Sequence, residues 1–107
     1  MKRGDLVTVA LQGDYGKPRP ALVIQSDFFA DAPSLTVLPV TSELRDVPLF
    51  RIAIDPSPAN GLRLRSEIMI DKAQTISRDK IGAVIGHLDA RAMVETNRLL
   101  ALFLGLA

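Results

Sequence analysis

The sequence of 107 residues has no cysteine, no tryptophan and a single histidine, His87. Without cysteine the chain forms no disulfide, carries no thiolate nucleophile and builds no cysteine-based zinc site. One histidine is also too few for a histidine metal cluster. Any chemistry must therefore depend on carboxylates, hydroxyls and Lys or Arg side chains, and we expect no metal and no other cofactor.

A dominant charge and a long apolar run are also missing. The 13 basic and 12 acidic residues leave a formal charge of +1 at pH 7, so a polyanion would have to bind to a local patch. The N-terminal residues lack the apolar core of a signal peptide, and the longest apolar run, residues 99–107, is too short to span a bilayer. These features predict a cytoplasmic protein that does not bind membranes.

What is present is hydrophobic: 48% of the residues, enough for one compact domain over residues 1–107. Apolar and β-branched patterns between Gly- and Pro-rich turns predict short strands. Five strands cover residues 5–11, 20–26, 35–40, 49–54 and 66–71. Residues 75–76 and one helical turn over 77–80 follow, and residues 83–85 could add a sixth strand. Pro39 cannot donate a ladder hydrogen bond, so we expect it at an edge, at a bulge or where its strand changes direction.

The last twenty or so residues predict a helix with Asp89 as its N-cap. One face of that helix carries Met93, Leu100, Phe103 and Leu104. Strands followed by one helix indicate a mainly β fold with α, a small bent β-barrel against which the helix packs. Residues 99–106 are apolar around most of the helix, which favours a homodimer, although they could instead fill the protein's own core.

The most unusual local sequence is GDYGKPRP at residues 13–20. The prolines at 18 and 20 stiffen the backbone around Arg19, as a preorganised anion ligand would require; Arg19 could equally end a loop and pair with a surface carboxylate. Thr41 and Ser42 follow an apolar strand and could donate to a phosphate oxygen or serve in an ordinary turn. Arg63 and Arg65 alternate with leucine, so both share one face if the segment is extended, either in a site or as charges on a solvated strand edge.

Five blocks of sequence, in order, resemble the MazF/PemK toxins of bacterial toxin–antitoxin systems. They are KRGDLV at residues 2–7, KPRPALVIQSD at 17–27, LPVTS at 38–42, the segment 61–76 that begins GLR and ends IDKAQTI, and IGHL at 85–88. The resemblance implies a barrel related to the SH3 fold, a homodimer and a sequence-selective endoribonuclease that cuts single-stranded RNA without a metal. It also implies an antitoxin partner whose flexible tail occupies the RNA groove.

Metal-free cleavage is within reach of the residue types present. The ribose 2′-OH attacks its own neighbouring phosphate, which needs a proton acceptor, a donor for the leaving 5′-oxygen and positive charge near the phosphorane. The resemblance implies that Arg19 stabilises the phosphorane and could act as the acid, and that Thr41, with Ser42 beside it, contacts the scissile phosphate. Asp14 stands five positions before Arg19, where some members place an acidic residue.

Other members use an Arg-x-Asp pair on a later strand, but this sequence has Met69-Ile70-Asp71 there. Because that arginine is absent, we expect Asp14, Arg19 and Thr41 to be the catalytic residues. Side chains that could contact the RNA are Lys17, Tyr15, Ser42, Arg63, Arg65, Ser66, Glu67, Asp71, Phe28 and Phe29, with the aromatic rings as stacking platforms.

Two other functions stay open at this point. The CcdB toxins resemble this fold and inhibit DNA gyrase by protein contact, without catalysis. A degenerate family member would bind RNA or an antitoxin and cleave nothing.

Overall fold

The computed structural model describes residues 1–10 and 17–107, which contain seven strands and one α-helix. Strands β1 to β7 are Asp5–Val9, Arg19–Val23, Ser34–Thr41, Arg51–Ile54, Ser66–Met69, Gln74–Ser77 and Ile81–His87, and helix α1 is Ala90–Phe103. Short 3-10 turns cover Asp27–Phe29, Ile70–Lys72 and Arg78–Lys80. The strands form one antiparallel sheet in the order β4-β5-β3-β2-β1-β7, with β6 beside β3.

Each predicted strand has a counterpart, but several boundaries were wrong. Strand β2 ends at Val23 and β5 at Met69, because residues 24–26 leave the sheet and residues 70–72 wind into a 3-10 turn. Strand β7 begins at Ile81, two residues before the predicted start. The mainly β fold with a C-terminal helix is confirmed.

Pro39 lies where β3 changes partners. Strand β3 pairs with β6 through Ser34–Val37 and with β5 through Val40 and Thr41. Pro39 stands between these two pairings, opposite Ala21 of β2. A residue without an N–H is tolerated there because neither ladder requires its donor.

The sheet curves around a core without closing through strand pairing in the described residues, where β4 and β7 form its two ends. Leu6 of β1 and Ile54 of β4 nevertheless belong to one hydrophobic cluster. The loop after β4 bridges the two ends, and the His87 N–H donates to the Ala59 carbonyl at 2.9 Å. The barrel expected from the sequence is therefore an open sheet completed by a loop.

Neighbouring residues of β1, β2 and β3 face two different cores. One core contains Leu6, Leu22 and Leu38 and receives Leu99 and Leu100 from α1; the other contains Val7, Ala21, Val23 and Val37. Successive side chains point to opposite faces of a strand, so this division follows from the pleat. The central strands are consequently buried on both sides, as the apolar run at 20–26 predicts.

Helix α1 begins as predicted, because the Asp89 carboxylate accepts a hydrogen bond from the Ala92 N–H at 2.8 Å. Its predicted apolar face is only partly covered. Met93 and Leu100 pack on the core, whereas Phe103 is 47% and Leu104 59% exposed. No helix in the described part of the chain combines the length and apolar character needed to cross a membrane.

Candidate functional site

A groove of about 750 Å³ lies where β2 begins and β3 ends. Its walls include Thr8, Pro18, Arg19, Thr41, Ser42, Glu43, Leu62, Arg63, Ser66 and Met69. The β2–β3 register pairs Ala21 with Pro39, so its continuation by two residues brings Arg19 opposite Thr41. Residues opposite each other on antiparallel strands share a face. The register thus explains why these two distant residues meet in one groove.

Thr41 is half-buried, and its hydroxyl has a fixed partner. The Glu43 N–H donates to Thr41 Oγ1 at 3.0 Å. A hydroxyl can accept this bond and still donate its own proton elsewhere. Turn chemistry and a site role, the two alternatives from the sequence, are therefore compatible at Thr41. Ser42, exposed beside it, adds a second hydroxyl to the groove wall.

Two guanidinium groups belong to the groove. Arg19 is exposed at the first position of β2, and Arg63 is exposed in the loop between β4 and β5. Arg65 does not join them, because its guanidinium pairs with the Asp55 carboxylate. The segment 61–65 is not a strand, so the condition under which Arg63 and Arg65 were expected to share one face is not met. The groove combines cationic and hydroxyl donors, as an anionic ligand requires.

Glu67, expected along the RNA path, is buried instead. Its carboxylate accepts hydrogen bonds from the Arg45 N–H at 2.9 Å, the Asp46 N–H at 3.2 Å and Arg51 Nη1 at 2.9 Å. These donors occupy both carboxylate oxygens, so the structure corrects the sequence expectation. Glu67 holds the chain that follows Thr41.

The surroundings of Glu67 also change its acidity. Burial by itself raises the pKa of a carboxyl group, but the hydrogen bonds from the Arg45 N–H, the Arg51 guanidinium and the Asp46 N–H, with the charge of Arg51, outweigh it. The pKa of Glu67 is therefore lowered from its ordinary value of 4.5. Glu67 is an anion at neutral pH, which suits an acceptor of three donors.

The groove lining does not include Phe28, Phe29, Asp71 or Lys17. Phe28 is 88% exposed beside Phe29, beyond the Val23 end of β2 and thus opposite the Arg19 end. Asp71 belongs to the 3-10 turn after β5 and lies 3.8 Å from the Lys72 ammonium. Lys17 is exposed next to Pro18 of the groove wall. Asp14 and Tyr15 lie outside the described residues.

Sequence reasoning missed Arg51. Arg51 is the cross-strand partner of Met69, and its Nη2 lies 3.6 Å from the Met69 sulfur. A guanidinium thus lies beside the position where the resemblance expects an arginine. Pairing the predicted strands 49–54 and 66–71 residue by residue would have found it, because cross-strand partners are neighbours.

Thr8 and Glu43 were also missed. Thr8 lies opposite Pro20, the residue after Arg19, and its Oγ1 accepts from the Ala83 N–H at 3.0 Å. Glu43 follows the Thr-Ser pair, and its carboxylate lies 3.0 Å from Arg45 Nη2. Within residues 1–10 and 17–107, no three His, Asp or Glu side chains come together as metal ligands would.

The chain is similar in sequence to known proteins. A family model described as the PemK-like, MazF-like toxin of type II toxin–antitoxin systems matches residues 2–104. A curated protein of Mycolicibacterium smegmatis named probable endoribonuclease MazF is 48% identical over 108 residues, covering 100% of this chain and 99% of its own.

Solved structures share the fold. The Mycobacterium tuberculosis toxin MazF-mt6 has a TM-score of 0.82 at 24% identity, covering 96% of this chain and 98% of its own. A MazE–MazF structure from Deinococcus radiodurans has a TM-score of 0.80 at 23% identity, covering 100% and 97%. A mycobacterial endoribonuclease in complex with its cognate antitoxin has a TM-score of 0.83 at 22% identity, covering 100% and 97%.

Proposed function

The chain belongs to the PemK-like, MazF-like toxin family of type II toxin–antitoxin systems and is a MazF-like endoribonuclease, and from this premise we propose that it cuts single-stranded RNA in the groove between Arg19 and Thr41. One observation carries the proposal: the groove brings Arg19 and Arg63 together with the hydroxyls of Thr41 and Ser42. Guanidinium and hydroxyl donors at one place suit a phosphodiester.

The proposed reaction is an internal transesterification. The 2′-oxygen of one ribose forms a bond to the adjacent phosphorus while the bond from phosphorus to the 5′-oxygen of the next nucleotide breaks. The products are a 2′,3′-cyclic phosphate and a 5′-hydroxyl. The Arg19 charge opposes the negative charge that builds up on the phosphorane, and Thr41 and Ser42 donate hydrogen bonds to its non-bridging oxygens.

Two proton transfers complete the reaction. A base takes the proton of the attacking 2′-hydroxyl, and an acid protonates the leaving 5′-oxygen. We assign the base to Asp14, on the spacing from Arg19, and the acid to Arg19. Glu43 is the competing carboxylate, because it lines the groove beside Thr41 and Ser42.

The proposed partners follow from the same groove and from the helix. Single-stranded mRNA, met in the cytoplasm, is the substrate, with Arg63 along its path. Ser66 lines the groove but is buried, and its hydroxyl donates to the Leu64 carbonyl. A cognate antitoxin inhibits by laying a flexible tail in that groove. A second copy of the chain covers the exposed apolar end of α1, where Phe103 contacts Phe50 at 6.4 Å between ring centroids. The proposed antitoxin partner is supported by a structure of similar fold, a mycobacterial endoribonuclease in complex with its cognate antitoxin.

The test incubates purified protein with a sequence-diverse single-stranded RNA in EDTA. We expect fragments that end in a 2′,3′-cyclic phosphate, and we expect Arg19→Ala and Thr41→Ala to lose at least about a hundredfold in rate, the scale of removing one transition-state donor. Arg98→Ala is the matched control, since Arg98 pairs with Glu95 on the helix surface.

Three results would contradict the proposal. Cleavage that requires added Mg²⁺ would exclude the metal-free route. Toxicity unchanged in Arg19→Ala and Thr41→Ala would favour a CcdB-like protein that binds DNA gyrase. RNA or antitoxin binding without cleavage of any RNA would identify a degenerate member.

A further inference from the structure

We propose that Arg51 and Glu67 are positioning residues that hold the Thr41 hydroxyl in the orientation required for RNA cleavage. The inference rests on the proposed function, because it gives Thr41 its role at the phosphate. Neither residue lines the groove. Arg51 acts through the backbone of Glu43, and Glu67 acts through Arg51 and through the N–H groups of Arg45 and Asp46.

A short series of hydrogen bonds joins the pair to Thr41. Arg51 Nη1 donates to Glu67 Oε1 at 2.9 Å and to the Glu43 carbonyl oxygen at 2.8 Å. The Glu43 N–H donates to Thr41 Oγ1 at 3.0 Å. Arg51 therefore holds Glu43 by its carbonyl while the N–H of the same residue orients the Thr41 hydroxyl. Movement of the guanidinium would reach that hydroxyl through the backbone of Glu43.

Glu67 anchors the same chain segment from below. Glu67 is the cross-strand partner of Thr41, and its carboxylate accepts the N–H groups of Arg45 and Asp46. Residues 42–50 are all exposed, and the Phe50 ring contacts Phe103 at the end of the segment farthest from Thr41. The Glu67 carboxylate supplies the attachment at Arg45 and Asp46, nearer to Thr41.

The segment also contains a backbone conformation that needs support. Asp46 has φ of 53°, in the left-handed region that non-glycine residues rarely occupy. Its N–H is one of the donors to Glu67. The anchor therefore supports a strained backbone position in the segment that follows Thr41.

The Arg51–Glu67 ion pair is buried, and burial restricts the positions that its two side chains can take. The side chains of Arg51 and Glu67 are 13% and 7% exposed. A buried ion pair contributes little net stability compared with an apolar pair, because both charges lose their hydration. Its main effect here is directional: Glu67 fixes the guanidinium through one Nη1 hydrogen bond, and the guanidinium fixes the Glu43 carbonyl through the other. This positioning matters because the Thr41 hydroxyl must lie within a fraction of an ångström of the right place to donate to a phosphate oxygen.

The test is a double-mutant cycle on cleavage of single-stranded RNA. We expect Arg51→Lys and Glu67→Gln each to lower kcat by about 10- to 100-fold through displacement of the hydroxyl, with KM almost unchanged. In a Thr41→Ala background the same substitutions should lower kcat by less than about twofold, because the hydroxyl they position is gone. Arg98→Lys is the matched control, an identical change at an ion pair on the helix surface.

Equal losses in both backgrounds would overturn the inference, since they would show a structural effect unrelated to Thr41. A rise in KM with kcat preserved would also overturn it. If Thr41→Ala itself kept full activity, the proposed function would fail instead, so the two failures are distinguishable. Thermal unfolding checks each variant; if Glu67→Gln does not fold, Glu67→Asp and the charge-preserving Arg51→Lys serve the same cycle.

Discussion

Thr41 and Glu67 show how one residue's role depends on its accessibility to the groove. Thr41 accepts the Glu43 N–H in a local turn and also lines the groove. Glu67 is a charged residue of the type found in active sites, but it is buried like a core residue. What separates their roles is access: Thr41 can still donate a proton into the groove, whereas three donors occupy the Glu67 carboxylate.

Glu67 should make folding stability depend on pH. Its pKa is lowered in the folded state, so its contribution is present above the ordinary value of 4.5 and is lost as the pH falls through the lower folded value. We expect the free energy of unfolding of the wild type, measured in urea, to fall as the pH drops below 4.5.

Glu67→Gln should remove that part of the pH dependence and lower the free energy of unfolding at pH 7 by about 2–3 kcal/mol, since Arg51 loses its buried partner. Unfolding curves with the same pH slope for wild type and variant would contradict this. Asp31→Asn, at an exposed loop residue, is the control.

Single substitutions can distinguish Asp14 from Glu43 as the base that accepts the 2′-hydroxyl proton. Asp14→Asn should lower the cleavage rate by about 10²- to 10⁴-fold, the range for loss of a general base. Glu43→Gln should change it by less than about tenfold, because that side chain is 73% exposed and paired with Arg45. Single-turnover rates across pH distinguish them, and the reverse result would make Glu43 the base.

At the scale of elements, strand register decides which residues meet. Arg19 and Thr41 are 22 positions apart in sequence, and Arg51 and Met69 are 18 apart. Antiparallel pairing of β2 with β3 and of β4 with β5 makes each pair neighbours. The sequence-based prediction of strands located these residues on the right elements; the choice of partners needed the sheet.

Helix α1 offers a prediction at the same scale. Asp89→Ala should lower the free energy of unfolding by about 1 kcal/mol, because the Ala92 N–H loses its capping acceptor. Asp31→Ala removes a carboxylate from an exposed loop residue and serves as the control. Chemical denaturation measures both; equal stabilities would argue against the cap.

For the whole molecule, the junction between the two ends of the sheet holds the open barrel together. Asn60 is buried and organises this junction: its side chain donates to the Asp55 carbonyl and accepts the N–H groups of Ser57 and Leu62. Gly86 of β7 lies against it, and a Cβ there would collide with the backbone of Ala59 and Asn60.

Gly86→Ala should therefore destabilise the fold by about 2 kcal/mol or more, as overpacking against backbone does. Gly105→Ala is the matched control, because nothing lies within 4 Å of its added Cβ and only its positive φ carries a cost of about 1 kcal/mol. Thermal and denaturant unfolding compare the two. A smaller effect at Gly86 than at Gly105 would mean that the junction yields easily.

Assembly is the second prediction for the whole molecule. If the apolar end of α1 forms the proposed dimer interface, Phe103→Ser should convert a dimer to a monomer in gel filtration. Val94→Ser is the control: Val94 is 68% exposed and lies about 180° around the helix from Phe103. A wild-type monomer at micromolar concentration would contradict the proposal, and dissociation only by Val94→Ser would move the interface.

The sequence by itself determined the local features: the strands and the helix with its Asp89 cap. It also determined the scarcity of cysteine and histidine, and the blocks around Arg19 and Thr41 that indicate the family. These follow from residue types and their spacing over a few positions. Only the tertiary structure decided that Glu67 is buried, that Arg65 leaves the groove to pair with Asp55, and that Arg51 reaches Glu43. Those outcomes depend on contacts between distant strands and loops, and the energies that select them arise from burial and pairing that no local pattern contains.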